Sequence, residues 1–292
     1  TSSTVTAVEP RLLFGNFGPA CGSGATAVAA TNDILMVVAG EIWYTQPTVA
    51  GSVTGWTRLL NYTDNTLGSI PISAVSDSYP IAFNFVSRDS LAVATLRRRI
   101  YMSFGTTVTP APGGGLPPCL RIYRDGTGTM VADNNFENPA GLQAPPPPFR
   151  IALKFGERVY VNDEVEGDIG RFCESITDFG PNNWPTANIF LSGFRFKGGL
   201  LTGLYALNGV MYAAKENSLY RLDGMPAETA ITEIADWVGC GYPRTLDVWK
   251  GQLAIFLFQG KLWGHRGGRN IFPISDNWGD IFVPNTASRF RP

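Results

Sequence analysis

The feature that most constrains the fold of this chain is a hairpin pattern that recurs along it. Its clearest copy is residues 250–264, KGQLAIFLFQGKLWG, where the apolar run 253–258 is followed by Gln259, Gly260 and a segment ending on Trp263. Glycines at both ends would weaken a helix, and an apolar run of this length fits a strand covered on both faces. We therefore predict a buried strand, a tight turn and a second strand.

Four other segments repeat the pattern. Residues 32–44 (NDILMVVAGEIWY) and 208–220 (NGVMYAAKENSLY) are close copies, and 88–101 and 155–172 are looser copies. All five copies end on an aromatic residue: Trp43, Tyr101, Phe172, Tyr220 and Trp263. The shorter spacings between these residues match the roughly 40 to 50 residues of a four-stranded propeller blade.

A small sheet cannot bury both of its faces alone, so such units must stack around an axis. The sequence therefore predicts an all-β fold, a β-propeller of five or six blades. A second repeat supports this register, because one Cys-Gly step followed by Thr precedes the first hairpin and another precedes the last. The two steps are Cys21, Gly22 and Thr26, and Cys240, Gly241 and Thr245.

We predict a single propeller domain over residues 1–292. Residues 104–149 read as a Pro/Gly-rich insertion that encloses a strand pair at 120–123 and 129–131. Long proline-rich loops usually lie at the surface and often contact partners. Since a propeller normally closes by mixing early and late strands in one blade, residues 1–17 are predicted to pair with 271–283.

Charge and composition exclude several classes of function. Lys and Arg number 23 against 24 Asp and Glu, a net charge of -1, which gives no general attraction to nucleic acid or to anionic membranes. The one dense basic cluster, Arg97 to Arg99, is interpreted as a solvated hairpin turn. The apolar runs are too short for a membrane span, and residues 2–8 do not resemble a signal peptide. We therefore expect a protein made in a cytoplasm.

Metal and cofactor sites are not predicted. The four cysteines, Cys21, Cys119, Cys173 and Cys240, form no closely spaced pair, and His265 is the single histidine, so a structural zinc site is not expected. The cysteines are interpreted as buried thiols, with two disulfides as the alternative. No catalytic residue is assigned.

Four segments, in order, resemble the β-propeller structural proteins of the tails of tailed bacteriophages. They are SITDFGPNNW, LLTGLYALNGVMYAAKENSLYRLDG, WVGCGYPRTLDVWKGQLAIFLFQGKLWG and ISDNWGDIF, which span about residues 172–282. The resemblance implies a tail hub, nozzle or adaptor protein of a short-tailed phage, located in the virion tail. Such proteins assemble as a ring, commonly of six copies, beside other tail proteins and around the channel by which DNA leaves. The chain departs from the larger members of this group by lacking their platform insertions.

A carbohydrate-binding or sialidase-like propeller is the alternative. Degenerate Asp-box turns could be read at two places, Thr177, Asp178, Gly180 and Trp184, and Ser275, Asp276 and Gly279. Phe149, Arg150 and Ile151 echo the F-R-I-P segment of sialidases, but Ala152 replaces its proline. Without a converging catalytic set, we expect no enzyme.

Two further places could carry chemistry. The acidic segment 162–168 holds Asp163, Glu164, Glu166 and Asp168, which we interpret as a solvated hairpin loop, with glycosidase carboxylates or ion binding left open. His265 is expected in a loop beside Arg266 and two glycines, where it lacks a nucleophile or metal partner.

Overall fold

The computed structural model describes residues 11–16, 32–38, 41–45, 55–59, 81–88, 96–103, 119–124, 130–133, 146–173, 184–224, 230–242 and 245–275. Over these ranges the chain is mostly β-strand, and helix is limited to short 3-10 segments such as Ser192–Phe194. None of the described helical segments is long and apolar enough to cross a membrane. The predicted all-β class is confirmed.

The described residues form five four-stranded antiparallel sheets, each from strands that follow one another in the chain. The first sheet contains β1 (Arg11–Asn16), β2 (Asn32–Val38), β3 (Glu41–Thr45) and β4 (Thr57–Arg58). The second contains β5 (Ile81–Arg88), β6 (Leu96–Ser103), β7 (Cys119–Arg124) and β8 (Met130–Asp133). The third contains β9 (Ala152–Phe155), β10 (Arg158–Asn162), β11 (Gly170–Phe172) and β12 (Ile189–Phe190).

The two remaining sheets are the most regular. The fourth contains β13 (Leu201–Leu207), β14 (Val210–Lys215), β15 (Leu219–Leu222) and β16 (Ile231–Ala235). The fifth contains β17 (Asp247–Trp249), β18 (Leu253–Phe258), β19 (Lys261–His265) and β20 (Ile271–Pro273). Every strand in them is bonded to its neighbour in the chain, so each sheet is a simple meander.

The predicted hairpins at 32–44, 155–172, 208–220 and 250–264 form, and two turns of the fourth and fifth sheets have clear local causes. Asn208 and Gly209 join β13 to β14 with φ values of 50° and 76°, and Gln259 and Gly260 join β18 to β19 with 49° and 75°. Positive φ at both central residues matches the twist of the flanking strands, and glycine adopts it without a steric penalty. The Asn-Gly and Gln-Gly pairs are therefore local signals for the β13–β14 and β18–β19 hairpins.

The second sheet corrects the predicted repeat register. In four sheets the terminal aromatic residue lies on the third strand, whereas Tyr101 lies on β6, the second strand of its sheet. The third strand there is β7, within the segment interpreted as an insertion, and β7 pairs with β6 while β8 pairs with β7. Arg97 to Arg99 lie within β6, paired with β5 along their length, and not in a hairpin turn.

Burial differs between the fourth and fifth sheets. In β13 six of seven residues are buried, including five in succession, so both faces of that strand are covered. In β18 buried residues alternate with half-buried ones, so only one face is fully enclosed. The prediction that the apolar run of β18 is covered on both faces is therefore wrong for the described residues, and Trp263 on the adjacent β19 is likewise only half-buried.

The chain divides into two compact units. One lies within Thr1–Val159 and Cys173–Thr186, and the other lies within Tyr160–Phe172 and Ala187–Pro292. The core of the second unit is formed by side chains of the fourth and fifth sheets and of the segment between them, with Tyr205, Leu219, Cys240, Ala254 and Phe256 among its fully or almost fully buried members. Whether residues 1–292 behave as one domain stays a prediction.

Several predictions lie partly or wholly outside the described residues. Arg11–Asn16 pairs with β2, and Ile271–Pro273 pairs with β19, while the rest of the proposed closure segments is not described. The Cys21, Gly22 and Thr26 step also lies outside. Cys173 and Cys240 are buried free thiols, as predicted for them.

Candidate functional site

The most unusual side chain of the second unit is Lys215, at the end of β14. It is fully buried, and its ammonium donates hydrogen bonds to the backbone carbonyls of Phe194, at 2.7 Å, and Lys197, at 3.0 Å. The same Nζ lies 5.9 Å from the centre of the Tyr220 ring. Burial lowers the pKa of Lys215, and the nearby Asp168 carboxylate opposes that shift. Through charge-assisted bonds to two carbonyls of the loop 194–200, Lys215 holds that loop against the end of β14.

Three glycines allow the chain to close around the β14–β15 turn. Gly198 and Gly199 have φ values of 77° and 83°, and a Cβ on Gly198 would lie 2.9 Å from the Cβ of Ser218. On Gly239 a Cβ would lie 2.5 Å from the Glu216 carbonyl oxygen and 2.6 Å from the Asn217 nitrogen. Residues 194–200 and 237–240 therefore flank the turn, and only glycine permits the approach.

The Cys-Gly step before the last hairpin ties this turn to the fifth sheet. Cys240 donates its backbone N–H to the Lys215 carbonyl at 2.9 Å, and Gly241 donates to the Leu257 carbonyl at 3.2 Å. The Thr245 hydroxyl accepts the Leu257 N–H at 2.9 Å. Burial raises the pKa of the Cys240 thiol to about 11, so it stays protonated at neutral pH. Cys240, Gly241 and Thr245 thus form a structural latch and not a reactive thiol site.

The carboxylates of the acidic loop between β10 and β11 are paired with arginines. Asp163 accepts a bond from Arg171 Nε at 2.5 Å and caps the loop by accepting the Val165 N–H at 2.9 Å. Glu166 pairs with both Arg171 and Arg195. No group of three or more potential metal ligands occurs in the part of the chain that the structure describes. These carboxylates therefore serve as an internal ion-pair network.

Asp168, at the end of this loop, holds an exposed aromatic residue in a strained conformation. Its Oδ2 accepts the backbone N–H of Phe196 at 2.7 Å. Phe196 has a φ of 62°, which costs energy for a residue with a Cβ, and its side chain is 92% exposed. The loop is thus fixed by Asp168 and Lys215 while it presents a phenyl ring to solvent.

His265 lies at the end of strand β19, fully buried, and not in a loop as predicted. Its Nδ1 lies 2.8 Å from the Tyr205 hydroxyl, and its Nε2 lies 3.1 Å from the Gly268 carbonyl. Because the carbonyl can only accept, Nε2 carries the proton and Nδ1 accepts from Tyr205. Burial lowers the pKa of His265 and raises that of Tyr205 well above its usual value. Both groups are neutral core residues; the Tyr205 ring is stacked on that of Tyr212, and the His265 ring lies perpendicular to it.

The residues cited for a sialidase-like reading have structural partners where they are described. Phe149 is fully buried and its N–H donates to the Ser103 hydroxyl at 2.9 Å. Trp184 is 2% exposed. Ser275 is buried and accepts the Leu262 N–H at 2.8 Å. Thr177, Asp178, Gly180, Asp276 and Gly279 lie outside the described residues, so no paired turn can be compared.

Sequence reasoning missed the loop 194–200 and its lysine. The pair Gly198 and Gly199 beside Arg195, Phe196 and Lys197 was a visible signal of a tight approach, but nothing local indicated which turn it contacts. The arrangement of these side chains can present a surface to a partner. It does not place a nucleophile, base or metal set around one reacting atom.

No family model matches the chain, and no curated protein matches it. The chain is similar to PorZ, a surface component of the type-IX secretion system of Porphyromonas gingivalis, with a TM-score of 0.41, 12% identity and coverage of 90% of this chain and 28% of that one. It is similar to Kluyvelomyces marxianus Hsv2, with a TM-score of 0.37, 7% identity and coverage of 81% and 60%. It is also similar to a proposed 6-phosphogluconolactonase from Bacteroides fragilis, with a TM-score of 0.42, 11% identity and coverage of 83% of this chain and 66% of that one. The chain thus spans about a quarter of PorZ, and likenesses of this strength carry no functional assignment.

Proposed function

We propose that this chain is a structural component of a phage tail, a hub, nozzle or adaptor protein that assembles as a ring around the DNA channel. The observation that carries the proposal is the ordered resemblance of residues 172–282 to propeller proteins of phage tails. The sequence runs that form it include the strands and turns of the fourth and fifth sheets and the latch at Cys240, Gly241 and Thr245.

The five described sheets suit the blades of one propeller. Each is a four-stranded meander, and they follow one another along the chain. We propose five blades on this basis.

The charge of the chain is compatible with a DNA channel. A nozzle must let DNA pass without retaining it, and each phosphate contact by Lys or Arg would add salt-sensitive affinity. A net charge of -1, with Arg171 and Arg195 paired to carboxylates, supplies little such affinity. We expect no sequence-specific contact with DNA.

Electron microscopy of the purified full chain, at low and high concentration, tests the proposal directly. A closed ring of identical copies is expected, with the pore on the rotation axis. Antibody labelling of a particle that carries the protein should place it in the tail. Particles without rings at any concentration, together with labelling away from the tail, would contradict the proposal.

A glycan array and assays on surface polysaccharides test the carbohydrate alternative. Binding or cleavage by the isolated chain would favour that class. Phe149, Trp184 and Ser275 are buried, and Phe149 and Ser275 are also hydrogen-bonded, so these three residues give no exposed site to it.

A further inference from the structure

Three cationic side chains lie exposed at one end of the fifth sheet. Lys250 stands in the turn between β17 and β18, and Arg266 and Arg269 stand in the turn between β19 and β20. In an antiparallel meander these two turns leave the same end of the sheet, and two strand spacings separate them by roughly 10 Å. Trp249, which is 58% exposed, adjoins Lys250. We name the surface formed by Trp249, Lys250, Arg266 and Arg269 the basic end.

The cations of the basic end are available to a ligand. The ion pairs of the described residues use other cations, so none of these three is paired with a carboxylate in that part of the chain. Asp247, the one acidic residue of the fifth sheet, is engaged by its own strand, since its Oδ1 accepts the Val248 N–H at 2.7 Å. The basic end therefore carries a local positive charge although the chain has a net charge of -1.

The turn that carries both arginines is held by buried side chains of the core. The Gly268 N–H donates to the Tyr212 hydroxyl at 3.1 Å, and the Gly268 carbonyl accepts from His265 Nε2 at 3.1 Å. The Arg266 guanidinium lies 5.2 Å from the ring centre of Phe272. Fixing binding groups in advance reduces the entropy lost on association. The buried histidine and tyrosine thus position a charged turn at the surface.

The turn that carries Lys250 is braced by the neighbouring sheet. The Asn208 N–H, in the turn between β13 and β14, donates to the Gly251 carbonyl at 2.9 Å. The Lys250 ammonium lies 5.0 Å from the ring centre of Trp249. An ammonium and a largely exposed indole are therefore held side by side, in reach of the same ligand.

We propose that the basic end binds a single strand of nucleic acid, with a base stacked on Trp249 and phosphates paired to Lys250, Arg266 and Arg269. Guanidinium groups present planar forks of donors that match phosphate oxygens, and the ammonium adds a compact charge. The exposed indole favours a single strand over an acidic peptide or a duplex, because the bases of a single strand offer their faces for stacking. Since every base has such a face, the contact does not read sequence.

The number of phosphate contacts sets the expected salt effect. For single strands the logarithm of the association constant falls with the logarithm of salt by about 0.7 per neutralised phosphate, so three contacts give a slope of about -2. Fluorescence anisotropy of the purified full chain with a labelled oligothymidine measures that slope. Lys250→Gln, Arg266→Gln and Arg269→Gln should each reduce its magnitude by about 0.7. Lys261→Gln removes the same charge at the opposite end of the sheet and should leave the slope unchanged.

The aromatic contact has a different signature. Trp249→Ala should weaken binding by about tenfold or more at every salt concentration and leave the slope near that of the wild type, because stacking releases no counterion. Trp237→Ala is the matched control: it is 57% exposed but lies in the segment beside the β14–β15 turn, and it should bind as the wild type does. Wild-type binding by Trp249→Ala, or unchanged slopes in the three charge variants, would overturn the inference.

Matched probes separate the classes of polyanion. An abasic oligonucleotide of the same length keeps the phosphates but lacks the bases, so it should bind the wild type as weakly as oligothymidine binds Trp249→Ala. Poly-glutamate and duplex DNA should both bind more weakly than oligothymidine at the same salt concentration. Equal or tighter binding of poly-glutamate would identify an acidic-peptide surface instead, and equal or tighter binding of duplex would remove the role of stacking.

The basic end goes beyond the proposed ring, because strand binding is measured on the chain whatever its assembly. Rings that bind no strand would refute the basic end and leave the ring standing. Strand binding by a chain that forms no ring would do the opposite.

Discussion

At the scale of single residues, His265 shows how the core of the second unit keeps a titratable side chain neutral. Its two nitrogens are used by Tyr205 and Gly268, and the rings of Tyr205 and Tyr212 meet its plane edge-on. Protonation of Nδ1 would break the bond from Tyr205 and place a charge in an enclosed site. The fold therefore requires the neutral imidazole.

This requirement predicts an acid-sensitive stability that one residue controls. Folding lowers the pKa of His265, so below its usual value near 6.5 the unfolded chain binds a proton that the folded chain does not. The stability it contributes is present above that pH and is lost as pH falls through the lowered value. Each unit of lowering corresponds to about 1.4 kcal/mol.

Denaturant unfolding at pH 7 and pH 5 measures the effect. His265→Gln cannot titrate, so the wild type should lose more stability than this variant over the interval. As His265 is the single histidine of the chain, no other imidazole contributes. An equal loss in both proteins would contradict a buried neutral histidine.

Lys215 gives a second prediction at this scale. Lys215→Met keeps the aliphatic stem but removes both bonds to the Phe194 and Lys197 carbonyls. The loop 194–200 should then open more often, because two of the bonds that hold its first half are lost, while those of Asp168 and of the Gly198 and Leu200 carbonyls remain. Trypsin cleaves after Arg195 and Lys197, so limited proteolysis with mass analysis should show cuts there at least about tenfold faster. Lys154→Met, on an exposed site of β9, is the control and should cleave as the wild type does at these two positions.

At the scale of elements, local chemistry decided what could be predicted. The β13–β14 and β18–β19 hairpins follow from Asn208, Gly209, Gln259 and Gly260, whose backbone preferences act within two residues. The register of the second sheet did not follow, because β7 is separated from β6 by 104–118, and a turn of that length carries no pairing signal. Side-chain burial on β18 also depends on neighbours that are distant in sequence.

The packing of two segments around the turn after Lys215 could not be predicted from the sequence for the same reason. Nothing near Gly239 in sequence indicates that its Cα faces the backbone of residues 215–217. The requirement appears only when two segments pack on one turn. Glycines that serve close approach can therefore be separated by experiment from glycines that serve a turn conformation.

Two alanine substitutions make that separation. In Gly239→Ala the new Cβ meets backbone atoms that cannot rotate away, so we expect a loss of about 3 kcal/mol. Gly209→Ala has nothing within 4 Å, and its φ of 76° should cost only about 1 to 2 kcal/mol. Denaturant midpoints of the two variants provide the comparison. A smaller loss of stability for Gly239→Ala than for Gly209→Ala would show that the backbone around Gly239 moves to accommodate the added methyl group.

At the scale of the whole molecule, the open question is whether the two compact units unfold together. A closed propeller makes every blade depend on its neighbours, whereas an open array lets one end unfold alone. Phe256 is fully buried in the core of the second unit, and Phe256→Ala should cost about 3 to 5 kcal/mol there. Since about 1.4 kcal/mol corresponds to a tenfold change in an equilibrium constant, the slowest amides should exchange roughly a hundredfold faster or more.

Hydrogen exchange with mass spectrometry shows where that acceleration occurs. If residues 1–292 form one cooperative domain, the slowest peptides of β5 and β6, which belong to the other unit, should accelerate by the same factor as those of β13 to β19. Acceleration confined to the second unit would divide the chain into two independent domains and would contradict the closed propeller. Phe196→Ser serves as the control: its exposed ring should change neither set, because the substitution removes no buried contact.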